Sequence, residues 1–461
     1  MWPAGTVKKR LTGNCWVLLF ALAYAVIVFA VSPVYAPLFD SATYSDIASS
    51  LVSGRGYLLV GSPAGDVPLL PVILASFMLA FGEAWAPAYL SLASFLMIIS
   101  VFCLAEELRK GTGLISALLL STMALPVMLS LQVLTDALFL VFVGSGVILL
   151  RRFLRASSWR NALLFSVVVS LSYLLRPTGL FLIGFAVVAC LWNLLRRRVQ
   201  FQKFMALVMI AVLVVGSWEL AGGKITSVQG GMEGKAKTAT LSFSVADPYN
   251  GDISFAGDVP VQAGNLVRMG ALLIMFVMPA MLLVFAWDMW RPLRRRDGEA
   301  WFMLVLVAAF LLPHLTVIPS LVARYLMPVL PVFIVVFADF IRRNWGKKRA
   351  VVLVLVIMHL GTAWFACQWY YARTEHLTTG VFEESGAWMN RNLPSGRFLL
   401  SGMGATEFHY YSGLLPVEEA PADFVIKSNM SEPGGVTAEG MGLCKRFDDG
   451  FYWVEIWGRS C

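Results

Sequence analysis

Charged residues are scarce in this chain of 461 residues. Asp, Glu, Lys and Arg make up 14% of it, whereas apolar residues make up 58%. One soluble core could not bury that much apolar surface, so a lipid bilayer must surround much of the chain. The formal charge of +8 does not indicate a nucleic-acid partner, because the basic residues are spread in short groups between apolar runs. We therefore predict an all-α polytopic membrane protein that binds no nucleic acid.

Metal-ligand motifs and internal repeats are also missing. The four histidines lack ligand spacing and the six cysteines form no paired zinc motif, so no metal site is predicted. The apolar runs contain almost no charged residues and show no repeat, which argues against a secondary transporter. A non-catalytic scaffold protein remains an alternative.

What the sequence does have is a set of basic clusters that orient the apolar runs. More than half of the basic residues fall in 8–10, 109–110, 151–160, 196–203, 291–296 and 342–349. All six clusters can be cytoplasmic if residues 68–82 form a surface or re-entrant piece and 86–105 one span. About 11 transmembrane helices then place the amino end inside and the carboxyl end outside. The predicted spans are 15–35, 86–105, 112–130, 137–150, 162–175, 178–195, 204–220, 266–290, 301–315, 325–341 and 350–367.

The first span has an alternative reading as a signal peptide cleaved near residues 34–36. We favour an uncleaved span, because the apolar run is long enough to cross the bilayer.

The predicted outer face carries most of the chain outside the membrane. We expect a transmembrane catalytic domain over 1–367, with outer loops 36–85 and 221–265, and a small extracytoplasmic α/β region over 368–461. In that region the pattern predicts helices at 382–393 and 405–411 and strands at 397–401, 424–427 and 451–457. Cys444 and Cys461 could form a disulfide there, if the compartment is oxidising.

Asp40 begins an amphipathic segment in the first outer loop. Apolar residues, including Tyr44, recur after it at helical spacing, while Ser45, Asp46, Ser49, Ser50 and Ser53 take the other face. The pattern predicts a helix lying on the membrane with Asp40 at or just before its amino end, where a carboxylate is stabilised by the helix dipole. Asp40 is therefore either a simple helix cap or a catalytic carboxylate at the membrane surface.

Three more charged residues lie at predicted outer ends of spans. Asp136 supplies a second carboxylate, and Arg176 and Arg324 supply guanidinium groups beside prolines. Each arginine alone is often a side chain reaching for the interface. Together the four residues form a plausible pocket for an anionic phosphate and a polyhydroxylated sugar.

A resemblance to a known family rests on these residues and their order. The motifs are Asp40-x-x-x-Tyr44, Gly54-x-Gly56-Tyr57, Pro68-x-x-Pro71, Phe81-Gly82, Thr135-Asp136, Arg176-Pro177-Thr178-Gly179 and Ala323-Arg324-Tyr325. The set resembles the C-superfamily (GT-C) of integral membrane glycosyltransferases over residues 15–345. Within it, the chain looks like the group that contains protein O-mannosyltransferases and lipid A aminoarabinose transferases. Ser41 follows Asp40 where many O-mannosyltransferases have glutamate, so protein O-mannosylation is not specifically supported.

The resemblance implies an enzyme of the inner or plasma membrane with an extracytoplasmic active site. It would transfer a sugar from a polyprenyl-phosphate donor to a hydroxyl of a glycan, lipid or protein acceptor. Asp40 carries over as the catalytic base, Asp136 as a site residue, and Arg176 and Arg324 as donor-phosphate ligands. Tyr44 and Tyr325, from the same motifs, are further candidates for substrate binding. Some relatives use a divalent cation, which Asp40 with Asp136 could recruit.

These residue types suit such a reaction. A carboxylate can accept the proton of an attacking hydroxyl, and arginines can stabilise a departing phosphate. A single displacement would invert the anomeric centre. A lipid-linked glycan polymerase or an O-antigen ligase is the nearest alternative, although those enzymes usually depend on a large late outer loop with histidine.

Overall fold

The computed structural model of the chain is mostly helical. It describes residues 4–32, 40–59, 62–63, 68–195, 201–220, 238–240, 244–247, 252–254, 258–294, 297–316, 323–378, 381–393, 397–400, 415–417, 424–428, 441–448 and 453–458. Four predicted features lie wholly or largely outside these residues: the signal-peptide cleavage site, most of loop 221–265, the helix at 405–411, and Cys461.

The helices follow one another closely along the chain. They are α1 (Ala4–Val31), α2 (Asp40–Val52), α3 (Leu69–Phe81), α4 (Trp85–Leu108), α5 (Gly113–Thr122), α6 (Ala124–Leu129), α7 (Asp136–Ala156), α8 (Trp159–Leu175), α9 (Gly179–Leu195), α10 (Phe201–Leu220), α11 (Val261–Leu272), α12 (Pro279–Arg294), α13 (Gly298–Thr316), α14 (Leu330–Asn344), α15 (Arg349–Thr378) and α16 (Val381–Asn392). A π-helical turn, Leu273–Val277, follows α11, and a 3-10 turn, Ala323–Leu326, precedes α14.

Within the described residues, three helical segments are long and apolar enough to cross a membrane. They are Leu69–Leu108, Asp136–Ala156 and Arg349–Gln368, and a bent pair adds a fourth if it is one span. Several shorter apolar helices, among them Cys15–Val31 and Trp159–Leu175, lie beside them. These helices are of the membrane type, as predicted, while the number of crossings and their orientation stay predictions.

The first of those segments is not one straight helix. The rings of Phe77 and Tyr89 lie 5.9 Å apart, whereas twelve residues of straight helix span about 18 Å. The chain therefore turns at Gly82, whose φ of +54° suits glycine. This break agrees with a separate piece at 68–82 followed by a span.

The predicted span 266–290 is wrong as a single helix. Its two halves, Met269–Val277 and Pro279–Trp290, meet at an angle of 102°. Pro279 removes a backbone donor and disfavours the helical conformation of the preceding residue, so Met278 leaves the helix with φ +72°. The predicted span 112–130 is likewise divided, at Met123, between α5 and α6.

A central apolar core joins the membrane-type helices. Helix α4 packs against α1, α5 and α7. Gly144 on α7 allows the closest approach, because a Cβ at that position would collide with Ser100 of α4. Helix α7, which begins at Asp136, is thereby held close against α4.

Helix α2 starts at Asp40, but it does not lie on the membrane with one polar face in water. Ser45, Asp46 and Ser50, predicted to face solvent, are buried, and Ile47 and Ala48 on the apolar face are buried too. The helix packs against α3. Ser49 and Ser53 of the predicted polar face stay exposed, so that face is covered only in part.

Six short strands precede the carboxyl-terminal region: β1 (Leu58–Leu59), β2 (Ser62–Pro63), β3 (Thr238–Thr240), β4 (Ser244–Asp247), β5 (Asp252–Ser254) and β6 (Asp258–Pro260). They form the two-stranded sheets β1-β2, β3-β6 and β4-β5.

The carboxyl-terminal residues form a small α/β unit. Strands β7 (Arg397–Leu400), β8 (Leu415–Val417), β9 (Phe424–Ser428), β10 (Gly442–Asp448) and β11 (Trp453–Gly458) form a mixed sheet in the order β10-β11-β9-β7-β8. Helix α16 packs on it through Met389 and Leu393. The predicted helix 382–393 and the three predicted strands are present. The two strands that were not predicted, β8 and β10, are the edges of the sheet.

Candidate active site

Asp40 is the first residue of α2, where a carboxylate complements the positive end of the helix dipole. Its Oδ2 accepts a hydrogen bond of 2.5 Å from a guanidinium NH of Arg324, which lies in the 3-10 turn before α14. The Asp40 side chain is 42% exposed and that of Arg324 19%. The structure thus joins two predicted site residues that are 284 positions apart.

A second ion pair lies deeper. Asp136 is the first residue of α7 and has no exposed side-chain surface, and it accepts a hydrogen bond from Arg176 at the carboxyl end of α8. Arg176 is 10% exposed. Its charge is held inside the protein by a charge-assisted hydrogen bond to Asp136.

Tyr325 connects the two pairs. The guanidinium carbon of Arg176 is 5.1 Å from the ring centre of Tyr325 and 5.9 Å from that of Phe139, both within cation–π range. Tyr325 follows Arg324 directly in the chain. The predicted residues Asp40, Asp136, Arg176, Arg324 and Tyr325 therefore form one cluster.

The electrostatics of Arg324 support this grouping. Burial lowers the pKa of its guanidinium, but Asp40, Asp136 and Tyr325 raise it by more, so the net change is upward. Arg324 thus stays fully charged, and the Asp136 carboxylate is near enough to act on it.

Three buried polar atoms of the cluster have no hydrogen-bond partner among the described residues. They are Oδ2 of Asp136, Nε of Arg324 and Oγ1 of Thr178. A buried polar group without a partner costs free energy, so such atoms usually bind water or a ligand. These atoms could therefore bind water or a ligand at the candidate site.

The last predicted residue, Tyr44, lies one helical turn after Asp40 on the same side of α2 and is partly buried against the core. It is an electrostatic neighbour of Tyr89, a residue that the sequence did not single out. The hydroxyl of Tyr89 donates a 2.7 Å hydrogen bond to the carbonyl of Leu134, which fixes the chain just before Asp136. A tyrosine inside an apolar run gives no signal of this role, and Thr178 was noted only as part of a motif.

Comparisons with known proteins show what the chain is similar to. A family model described as dolichyl-phosphate-mannose-protein mannosyltransferase matches residues 63–218, a stretch that contains Asp136 and Arg176. No curated protein sequence matches the chain.

Solved structures match over nearly the whole chain. ArnT from Cupriavidus metallidurans bound to undecaprenyl phosphate has a TM-score of 0.62 at 12% identity, covering 96% of this chain and 98% of ArnT. The apo state of that protein has a TM-score of 0.56 at 14% identity, covering 89% and 87%. The chain therefore shares the fold of ArnT. The predicted resemblance is thereby confirmed, and the family match and the fold together support a glycosyltransferase.

A third GT-C structure is less completely matched. The Archaeoglobus fulgidus oligosaccharyltransferase, tethered to an acceptor peptide, has a TM-score of 0.54 at 12% identity, covering 87% of this chain and 63% of that protein. The chain therefore spans under two thirds of the oligosaccharyltransferase.

The candidate site is not arranged for a metal ion. One structure of the oligosaccharyltransferase is a complex with Zn and sulfate. In this chain Asp40 and Asp136 are each paired with an arginine, so a cation would meet two guanidinium charges. No group of three or more His, Cys, Asp or Glu with metal-binding geometry occurs among the described residues. We derive no step through a metal.

The turn after α8 positions Arg176 in the candidate site. Gly179 donates a 2.8 Å hydrogen bond to the carbonyl of Arg176, and a Cβ on Gly179 would lie 2.6 Å from the nitrogen of Tyr173 and 2.7 Å from the carbonyl carbon of Ser172. Only glycine lets this turn close so tightly. The closed turn directs Arg176 back toward Asp136.

Proposed function

We propose that this protein transfers one sugar from a polyprenyl-phosphate-linked donor to an acceptor hydroxyl on the extracytoplasmic face of the membrane. The observation that carries the proposal is the cluster of two carboxylate–guanidinium pairs joined through Tyr325. The fold similarity to ArnT bound to undecaprenyl phosphate supports the class of donor.

The two arginines suit different tasks. Arg176 is buried and held by Asp136, so its charge is fixed in position before any ligand arrives. Arg324 is more accessible, and its buried Nε lacks a partner among the described residues. We assign Arg324 as the main ligand of the donor phosphate and Arg176 as a fixed positive charge behind it.

Asp40 is the general base of this proposal. It is the more exposed of the two carboxylates, so an acceptor hydroxyl can reach it. Without substrate, Arg324 holds the Asp40 carboxylate. A donor phosphate on Arg324 competes for the same guanidinium, which frees a carboxylate oxygen of Asp40 to accept a proton.

The reaction then proceeds as a single displacement. The acceptor oxygen forms a bond to the anomeric carbon, and the bond from that carbon to the phosphate oxygen breaks. The acceptor proton goes to Asp40, and the electron pair of the broken bond stays on the phosphate. The anomeric centre is inverted.

The position of the site rests on the predicted topology. The basic clusters favour a cytoplasmic location for the helix ends that lie opposite the candidate site. Cys444 in the carboxyl-terminal sheet is disulfide-bonded, which is typical of an oxidising compartment. These observations support an inner- or plasma-membrane enzyme with a catalytic domain over 1–367 and an extracytoplasmic region over 368–461. The acceptor would be a glycan, a lipid or a protein, the last in keeping with the peptide tethered to the oligosaccharyltransferase.

The decisive experiment measures transfer from radiolabelled undecaprenyl-phosphate sugars to acceptors in membrane extracts, with purified protein in nanodiscs. Removing a general base lowers the rate about 100-fold or more, so Asp40→Asn should lose transfer to that extent while still binding the donor. Glu106→Gln is the control. Glu106 is a carboxylate outside the candidate site, and it accepts hydrogen bonds from the backbone of Gly111 and Gly113 after α4. Full activity in Asp40→Asn would contradict the assignment of the base. A product of retained configuration would contradict the single displacement.

A further inference from the structure

An apolar groove opens between α9 and α13 at the end of the molecule opposite the candidate active site. It encloses about 650 Å³ and is lined by Phe185, Val188, Trp192, Trp301 and Phe302, among others. The site and the groove are far apart, because Asp136 begins α7 whereas Arg151, beside the groove, lies 15 residues further along α7, about 22 Å.

The groove is continuous with a polar cavity. This second cavity, of about 620 Å³, shares Trp192 and Phe302 with the groove and is also lined by Arg151 and Arg155. A third cavity, of about 970 Å³, shares both arginines with the second. The surface therefore changes from apolar to charged without interruption.

The charged part has an excess of positive charge. Its basic side chains are Arg109, Lys110, Arg151, Arg155, Arg342, Arg343 and Lys348, and its acidic ones are Glu107, Asp288, Asp297, Glu299 and Asp339. Ion pairs such as Arg151–Glu299 and Arg343–Asp288 occupy most of the arginines. Lys110 and Lys348 are exposed and form no ion pair with any residue that the structure describes. The charged cavity therefore has positive charge that can bind an anion.

Exposed tryptophans lie where the apolar groove meets the charged cavities. Trp192 is 57% exposed, Trp301 47% and Trp287, at the charged cavity, 71%. Exposed tryptophans concentrate at the boundary between hydrocarbon and headgroups. The groove thus lies at the depth of acyl chains, and the charged cavities lie at the depth of headgroups.

We propose that this surface is a binding site for an anionic phospholipid of the adjacent leaflet. One acyl chain occupies the groove between α9 and α13, and the phosphate lies against Arg155 and the unpaired lysines. Basic pockets between membrane helices are known to bind anionic headgroups in this way. The proposal does not rest on the proposed function, and its test measures lipid binding rather than sugar transfer.

Native mass spectrometry of the purified full chain can test the headgroup contact. The probes are dioleoyl phosphatidylglycerol, dioleoyl phosphatidylethanolamine and inorganic phosphate. We expect phosphatidylglycerol to bind preferentially. Arg155→Gln should weaken that binding about fivefold, the change in Kd for about 1 kcal/mol per basic residue.

Arg152→Gln is a matched control for that variant. Arg152 is 58% exposed and Arg155 56%, and both pair with Glu107, yet Arg152 lines none of the three cavities. Its variant should bind phosphatidylglycerol as the parent does. Equal losses in the two variants would overturn the assignment of the headgroup site.

A second pair of variants tests the groove. Val188→Trp fills it, because Val188 lines the groove and is 54% exposed. Val167 on α8 is 52% exposed and lines none of these cavities, so Val167→Trp is the control. We expect Val188→Trp to reduce phosphatidylglycerol binding and Val167→Trp to leave it unchanged.

Three results would overturn the proposal. If phosphatidylethanolamine bound as tightly as phosphatidylglycerol, the headgroup charge would not determine binding. Displacement of phosphatidylglycerol by inorganic phosphate would indicate a site for a soluble anion. Stronger binding of undecaprenyl phosphate that is lost in Val188→Trp would make the site one for the donor lipid.

Discussion

The two carboxylates of the candidate site differ in their access to water. Asp40 is 42% exposed, whereas Asp136 is fully buried with one oxygen on Arg176 and the other without a partner among the described residues. An exposed pair contributes little to stability, whereas a buried charge that loses its partner is costly. Replacing Asp136 should therefore lower the stability of the protein more than replacing Asp40.

Replacing each aspartate by alanine tests that difference. Asp136→Ala leaves the Arg176 charge buried and unpaired, which should lower the free energy of unfolding by about 3–5 kcal/mol. Asp40→Ala should lower it by less, because the more exposed Asp40 carboxylate interacts partly with water and solvent can reach the Arg324 charge that it leaves. Thermal unfolding in detergent, followed by tryptophan fluorescence, measures both variants. Equal losses of stability would mean that Asp40 also has a mainly structural role.

Sequence reasoning identified the members of the site but not their partners. Asp40, Asp136, Arg176 and Arg324 were predicted from their positions at span ends, and all four meet in the structure. Which arginine pairs with which carboxylate depends on how distant helices pack. No local pattern contains that information.

At the scale of elements, the turn between α8 and α9 shows how one glycine positions a charged residue. Gly179 leaves no room for a Cβ, whereas Gly184 in the same helix has nothing within 4 Å of the place where a Cβ would be. The two glycines form a matched pair within α9.

Gly179→Ala should lower the thermal unfolding temperature and weaken sugar transfer, because the turn must open and move Arg176. Gly184→Ala should be neutral or slightly stabilising, since alanine favours a helix over glycine by about 1 kcal/mol. Unfolding and transfer assays on both variants check this. If the two variants behave alike, the close approach at Gly179 does not hold Arg176.

Other elements were predicted less well, and for local reasons. The break at Met278 follows from Pro279, yet the apolar run through it predicted one span. Edge strands β8 and β10 were missed because one has three residues and the other carries Lys445, Arg446 and Asp448. Edge strands are often short or charged, so they lack the pattern of a central strand.

At the scale of the whole molecule, the two ends of the bundle have different chemistry. One end carries the candidate active site, and the other carries the charged cavities and the lipid groove. The predicted orientation places the first end outside and the second in the cytoplasm.

Cysteine labelling tests this orientation. In a variant whose free cysteines Cys15, Cys103, Cys190 and Cys367 are replaced by serine, an added Arg55→Cys should react with an impermeant maleimide in intact cells. Lys347→Cys should react only after permeabilisation. Both positions are exposed and lie at opposite ends of the molecule. The reverse pattern would put the Asp40 site in the cytoplasm and would contradict an extracytoplasmic transferase.

The amino-acid sequence by itself determined the membrane class, the start of α2 at Asp40 and the order of the GT-C motifs. These features depend on composition and on contacts between near neighbours, which a linear pattern records. Only the tertiary structure decided that Asp40 pairs with Arg324 and Asp136 with Arg176, that part of the polar face of α2 is buried, and that the groove continues into charged cavities. Those features depend on contacts between residues far apart in the chain, and the packing of helices alone brings such residues together.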